Sequence, residues 1–99
     1  MSATVQQVDA LPAGYTAISG VQASGPGKAA DQAATLKDEK RAVALLKQHF
    51  KQHAEPFPKD FDAHTLVFRV VTAVENAPQA GWGMLVVEFG YKPHGHKKK

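Results

Sequence analysis

The stretch TLVFRVVTAVENAPQAGWGMLVVEFGY, residues 65–91, decides the fold. Two runs rich in β-branched and aromatic residues flank a polar connection that contains Asn76, Pro78 and Gly81. Short apolar runs separated by turn residues are typical of a β-hairpin. We therefore predict two antiparallel strands here, with the rest of the chain packed against the sheet that they begin.

One pair of opposite charges predicts the register of this hairpin. If Arg69 lies opposite Glu88, the aromatic residues share one side of the sheet and the charged pair falls on the other. A shift of one residue would bring a charge onto the aromatic side. The first side then pairs Leu66 with Tyr91, Phe68 with Phe89, Val70 with Val87 and Thr72 with Leu85. The second side pairs Val71 with Val86 and Ala73 with Met84.

The second side of the hairpin is unusually apolar for a surface. An antiparallel sheet with one solvated face normally alternates to polar residues on that face. Here the predicted interface residues are Val67, Val71, Trp82, Met84 and Val86. Either the N-terminal segment folds across them or another subunit covers them.

The segments before the hairpin predict one more strand and one long helix. Residues 15–22 alternate as a strand does, although Gly20 weakens the pattern. Residues 36–54 follow a capping-box spacing, can extend back to Ala29 and are stopped by Pro56. Their apolar stripe consists of Leu36, Val43, Leu46, Phe50 and Ala54. The expected fold is α+β: a small antiparallel sheet in β-α-β-β order, with one long helix packed on one face.

Length and composition are those of one globular domain. The chain has 99 residues, of which 43% are hydrophobic and 21% charged. We assign residues 1–14 to a flexible N-terminal arm, which could include a short strand around residues 4–8. Residues 15–91 form the α+β domain, and residues 92–99 a basic C-terminal tail. Without a signal-peptide pattern or an apolar run of membrane-spanning length, we expect a soluble, cytoplasmic protein with no membrane contact.

The basic residues suggest an alternative function. Twelve Lys and Arg against nine Asp and Glu give a net charge of +3, and three lysines at the end of the tail account for it. The predicted polyanion-binding residues are Lys37, Arg41, Lys47, Lys51, Lys97, Lys98 and Lys99. Contacts with phosphate are chiefly electrostatic, so such a set can bind nucleic acid. The chain has no recognisable nucleic-acid motif, however, and its aromatic residues are needed in the core.

Histidine is the strongest metal ligand available, because the chain has no cysteine. The five histidines are His49, His53, His64, His94 and His96. His49 and His53 are four residues apart on the predicted helix, but a metal site would need a third ligand such as Asp62. We predict no metal and no cofactor.

The remaining polar motifs give little support to catalysis. The segment from Gly25 to Lys28, GPGK, lacks the spacing of a phosphate-binding loop and favours a turn. The alternation of Asp60, Asp62 and His64 is more typical of a solvated loop than of an acid–base site. We therefore predict that the protein is not an enzyme.

The pattern that the hairpin presents to solvent predicts the function. The leading hypothesis is a non-enzymatic association module, either a homo-oligomer or a small subunit of a larger assembly, that uses the outer apolar face of residues 65–91. The alternative is a small basic nucleic-acid-binding protein that uses the lysine face of the helix and the C-terminal lysines.

Overall fold

A computed structural model describes residues 4–93, which form a four-stranded mixed sheet and two α-helices. In chain order the elements are β1 (Gln6–Gln7), β2 (Thr16–Pro26), α1 (Ala29–Thr35), α2 (Glu39–Gln52), a 3-10 turn (Ala63–Thr65), β3 (Val67–Glu75) and β4 (Trp82–Tyr91). The strands lie in the order β1-β3-β4-β2, with β1 parallel to β3 and the other neighbours antiparallel. No helix among residues 4–93 is both long and apolar enough to cross a membrane.

The prediction of a small α+β fold is confirmed, but the β-α-β-β order is wrong. An additional strand, β1, comes from the N-terminal segment and places Gln6 beside Val67. The backbone N–H of Val8 donates to the carbonyl of Phe68 at 2.8 Å, and Val5 is fully buried. A strand of two residues carries no periodicity, so the sequence pattern could only suggest it.

The single long helix is also wrong, because the chain breaks between Thr35 and Glu39. In a continuous helix the carbonyl of Lys37 would accept from the N–H of Arg41. Instead, the Lys37 carbonyl accepts from the N–H of Val5 at 2.8 Å. The N–H of Arg41 donates to the side chain of Asp38 at 3.1 Å, so Asp38 caps a new helix. The N–H of Val5 in the N-terminal segment therefore bonds to the carbonyl that a continuous helix would have used to join α1 to α2.

The predicted hairpin register holds over the first half of the hairpin. Phe68 pairs with Phe89, Arg69 with Glu88 and Val70 with Val87. A β-bulge then makes Val71 an extra residue and shifts every later pair, so that Thr72 lies opposite Val86, Ala73 opposite Leu85 and Val74 opposite Met84. The predicted pairs of Val71 with Val86, Ala73 with Met84 and Thr72 with Leu85 are therefore wrong.

The core lies between the helices and one face of the sheet. Its side chains from the strands, and from Val5 and Leu66 just before two of them, are Val5, Ile18, Val21, Ala23, Leu66, Phe68, Leu85, Val87, Phe89 and Tyr91. The helices and the link between them add Ala29, Leu36, Ala42 and Leu46. Of the apolar stripe predicted for the helix, Leu36 and Leu46 are buried, and Val43 and Phe50 are partly buried against the core. Ala54 lies beyond α2 and is exposed.

Candidate interaction surfaces

The outer face of the sheet, away from the helices, carries the predicted interface residues. Val67 is only 7% exposed, because the N-terminal segment crosses this end of the face. Leu11 lies directly over Gly90, where even a Cβ atom would meet its side chain. Since Val67 pairs with Gly90, the same segment covers both. One end of the outer face is therefore covered by the chain itself.

The other end of the outer face remains open. Val71 is 50% exposed and Val74 is 37% exposed, and they are the large hydrophobic side chains that stand exposed among residues 4–93. Trp82, Met84 and Val86 are half-buried on the neighbouring strand. We call these five residues, Val71, Val74, Trp82, Met84 and Val86, the outer patch.

Val74 was missed in the sequence pattern. In the predicted register it faced the helices, and the bulge at Val71 moves it to the outer face, opposite Met84. The same shift brings Thr72 out of its predicted place in the core. A polar threonine at a supposed core position was the available signal that the register changes there.

The predicted polyanion-binding residues that the structure describes lie at different places around and before α2. Lys37 precedes α2, and the exposed Arg41 lies in its first turn. Lys47 and Lys51 are exposed farther along α2, and Lys47 is about 120° around the helix from Arg41. Lys97, Lys98 and Lys99 lie outside the described residues.

His49 of α2 and His53, the residue that caps the end of this helix, lie side by side with their rings tilted by 51°, as expected from their spacing. The ring centroids of His49 and His53 are 4.4 Å apart. The pKa of His49 lies below its ordinary value of 6.5, first because of burial and then because a positive charge on His53 opposes a second one. Glu55 acts in the opposite direction. Within residues 4–93 no group of three or more His, Cys, Asp or Glu side chains is placed to hold a metal ion, and His94 and His96 lie outside this range.

The amides of the GPGK segment are used inside the protein. The N–H of Gly27 donates to the carbonyl of Gly81 at 2.8 Å, and the N–H of Lys28 donates to Asp31 at 2.9 Å. The N–H of Ala29 donates to Oε1 of Glu75 at 3.1 Å. Internal acceptors thus occupy the donors that a bound phosphate would need. The turn predicted for the whole segment is wrong in part, because Gly25 and Pro26 continue β2 and only Gly27 and Lys28 connect the strand to α1.

In comparisons with known proteins, no protein-family model, no curated protein and no solved structure matches this chain. The candidate surfaces therefore rest on the geometry of the chain itself.

Proposed function

We propose that this protein is a non-enzymatic association module that pairs with a second copy of itself through the outer patch. The exposure of Val71 and Val74 on one face carries the proposal. Fully burying a valine side chain contributes about 1.5 kcal/mol or more, and a pair of copies would bury the exposed fractions of four such side chains, 50% for each Val71 and 37% for each Val74. The chain is also short, and small domains gain proportionally more from burying surface on a partner.

The surroundings of the outer patch fit a protein interface. The outer positions of β2 beside β4 are mostly small or polar, including Ser19, Gln22 and Ser24. At one end Arg69 and Glu88 form a salt bridge at 3.2 Å. An apolar centre with a polar rim is the usual anatomy of an interface. In a two-fold pair, an arginine of one copy could also meet a glutamate of the other, which supports a second copy as the occupant.

The non-enzymatic part of the proposal rests on how the carboxylates are used. Asp31, Asp38 and Asp62 accept backbone N–H groups at the starts of short or long helices. Glu75 accepts the N–H of Ala29, and Asp60 accepts the hydroxyl of Tyr91. These carboxylates stabilise the fold. Catalytic carboxylates would instead converge on a shared cavity.

The nucleic-acid alternative has less support. Phosphate binding needs cations that follow one surface, and Arg41 and Lys47 point to different sides of α2. Phe68 and Phe89 are fully buried in the core, and among the described aromatic residues Trp82 lies on the outer patch, away from the lysines of α2.

Sedimentation velocity tests the self-association proposal. We expect the wild-type protein to sediment with twice its 10.6 kDa chain mass at high concentration. Replacing both exposed valines, by Val71→Lys and Val74→Lys, places two positive charges in the interface. It should raise the dissociation constant about a hundredfold or more, because about 3 kcal/mol of burial is lost. The matched control is the double variant Ala30→Lys with Ala44→Lys, which adds the same two charges at exposed positions of α1 and α2 and should leave the mass unchanged.

Circular dichroism separates loss of association from loss of folding. The substituted valines are exposed, so the double variant should keep the wild-type spectrum. A wild-type protein that stays monomeric at millimolar concentration contradicts the proposal. So does a folded double variant that dimerises as the wild type does.

A further inference from the structure

A groove follows β2 over almost the whole length of the strand, with α2, and at the far end also α1, on its other side. It consists of three cavities of 370, 520 and 620 Å³ that border residues 17–20, then 20–24, then 24–26 of β2. Gly20, His49 and His53 line both the first and the second cavity, and Ser24 and Arg41 line both the second and the third. Ten strand residues span about 30 Å, so the groove has the length of an extended peptide.

The strand borders this groove with its backbone edge. In the first cavity the lining residues 17, 18, 19 and 20 are consecutive and include a β-bulge between Ile18 and Val21, where Gly20 has a positive φ, so the strand presents its backbone there. Within residues 4–93, β2 is an outermost strand of the sheet, with only β4 beside it. Pro26 at the end of β2 has no N–H, and its carbonyl accepts from the side chain of Gln32 at 3.0 Å. Pairing with another extended chain would therefore use the outward N–H and C=O groups of the strand residues before Pro26.

Helix α2 supplies the opposite wall with one stripe of side chains. Arg41, Leu45, Gln48, His49 and Gln52 follow the spacing of neighbouring turns and all line the middle cavity. The long side chains of Arg41, Gln48 and Gln52 are exposed there, so their polar ends can reach a ligand. The groove therefore offers a backbone edge on one side and polar side chains on the other.

The centre of the groove carries one permanent positive charge. Arg41 lines the middle cavity beside the two imidazoles of His49 and His53, and no described carboxylate lines it. Acidic residues border only the two outer cavities, where Glu55 lies at one end and Asp31 and Asp38 at the other. Asp31 and Asp38 already accept backbone N–H groups. A negative charge at the middle of a bound chain would therefore be favoured.

We propose that this groove binds an extended segment of another protein, which adds to the edge of β2 as a further strand and places a central acidic side chain beside Arg41. Strand addition of this kind draws its affinity from main-chain hydrogen bonds and its specificity from the side-chain wall. A second copy of this chain is a poorer occupant, because β2 itself, TAISGVQASGP, contains no acidic residue to meet Arg41. The proposal is independent of self-association through the outer patch, although Trp82 borders both surfaces.

The first experiment uses amide chemical shifts of the full, ¹⁵N-labelled protein. The probe is an acetylated and amidated peptide of about ten alternating threonines and valines with one central glutamate, a length that matches the groove. We expect the probe to shift amide signals of β2 and of the groove side of α2. The counterpart peptide with a central lysine should bind at least about tenfold more weakly, because it opposes Arg41. The proposal would be overturned if both peptides bound equally, or if the amide signals of β2 did not shift.

Two variants with the same loss of charge test the wall of the groove. Arg41→Gln should weaken binding of the glutamate peptide about tenfold, since a charge-assisted hydrogen bond is lost. The backbone N–H of Arg41, which Asp38 caps, is retained in this variant. Lys47→Gln removes a positive charge from another side of α2 and should leave the affinity unchanged. If both variants weaken binding of the peptide equally, the net charge of the protein explains the loss, and a defined site at Arg41 is refuted.

N-methylated peptides separate strand addition from simple charge attraction. In an antiparallel or parallel pair, an edge strand bonds to only every second residue of its neighbour. One peptide carries N-methyl groups at its odd amides and another at its even amides. We expect one of them to lose binding and the other to retain it. If both bind as the unmethylated probe does, no strand is added; free glutamate that produces the same shifts would lead to the same conclusion.

Discussion

Tyr91 connects the end of the sheet to the segment that follows α2. Its hydroxyl donates to Oδ1 of Asp60 at 2.8 Å, and its side chain is almost fully buried. The ring contacts Phe61 edge to face, with centroids 5.2 Å apart, and further edge contacts run through Phe57 to Phe50 on α2. Edge-to-face pairs are favourable beyond the area they bury. This row of rings holds the connector against both the helix and the sheet.

The ionisation of Tyr91 should make stability fall at high pH. Burial, the hydrogen bond to Asp60 and the charge of Asp60 together raise the pKa of Tyr91 to about 12, against a smaller opposing effect of Thr16. The folded protein therefore prefers the neutral phenol. Its contribution to stability is complete below pH 10, the ordinary value, and is lost as the pH rises to 12. A difference of this size corresponds to about 2–3 kcal/mol.

Urea unfolding between pH 8 and pH 12 measures this contribution. Tyr91→Phe should lower the free energy of unfolding by about 1 kcal/mol at pH 8, because the hydrogen bond to Asp60 is lost. Above pH 10 the stability of this variant should fall less than that of the wild type, because position 91 no longer carries a hydroxyl that ionises. Tyr15→Phe removes the other tyrosine hydroxyl, and the stability of this variant should fall above pH 10 as steeply as that of the wild type. A wild-type curve that matches that of Tyr91→Phe at every pH would refute the role of Tyr91.

At the scale of elements, the start of α1 packs closely against the backbone of β4 at the far end of the hairpin. A Cβ atom at Gly83 of β4 would collide with the backbone of Lys28 and Ala29 at the start of α1. The N–H of Ala29 also donates to Glu75, which pairs with Gly83 across the hairpin. The short helix can lie here only because position 83 has no side chain.

Gly83→Ala should therefore destabilise the protein strongly. The added methyl group meets backbone, which cannot rotate away, so we expect a loss of about 3 kcal/mol in the free energy of unfolding. Thermal or urea denaturation measures it. Met84→Ala, at the adjacent half-buried position on the outer face, is the matched control and should cost less. A loss below about 1 kcal/mol for Gly83→Ala would contradict the close approach.

At the scale of the whole molecule, the N-terminal segment closes one end of the outer face. Leu11 rests on Gly90, beyond the point where β1 has joined the sheet next to β3. This contact joins the beginning of the described chain to its last strand. It also restricts the open part of the outer face to the patch around Val71 and Val74.

A double-mutant cycle tests this closure. Leu11→Ala leaves a gap and should cost about 1–2 kcal/mol, since Leu11 is half-buried. Gly90→Ala alone places a methyl group against the side chain of Leu11 and should also destabilise. In the double variant the new methyl group fills the gap, so the two losses should be less than additive by about 0.5 kcal/mol or more. Strict additivity in urea denaturation would show that Leu11 and Gly90 are not in contact.

The sequence alone determined the features that depend on neighbouring residues. The alternation along residues 65–91 predicted the hairpin, and the charges of Arg69 and Glu88 predicted its register as far as Val70. The stripe from Leu36 to Phe50 predicted the apolar side of the helical segment. These features follow from periods of 2 and 3.6 residues, which are properties of the local chain.

Only the tertiary structure decided the features that join distant parts of the chain. The helix ends before Glu39 because the carbonyl of Lys37 bonds to Val5, more than thirty residues earlier. Val67 is covered because Leu11 crosses the sheet, and the groove exists because β2 is placed at an edge beside α2. No local pattern encodes these hydrogen bonds and contacts, because each is formed between segments that meet only when the whole chain has folded.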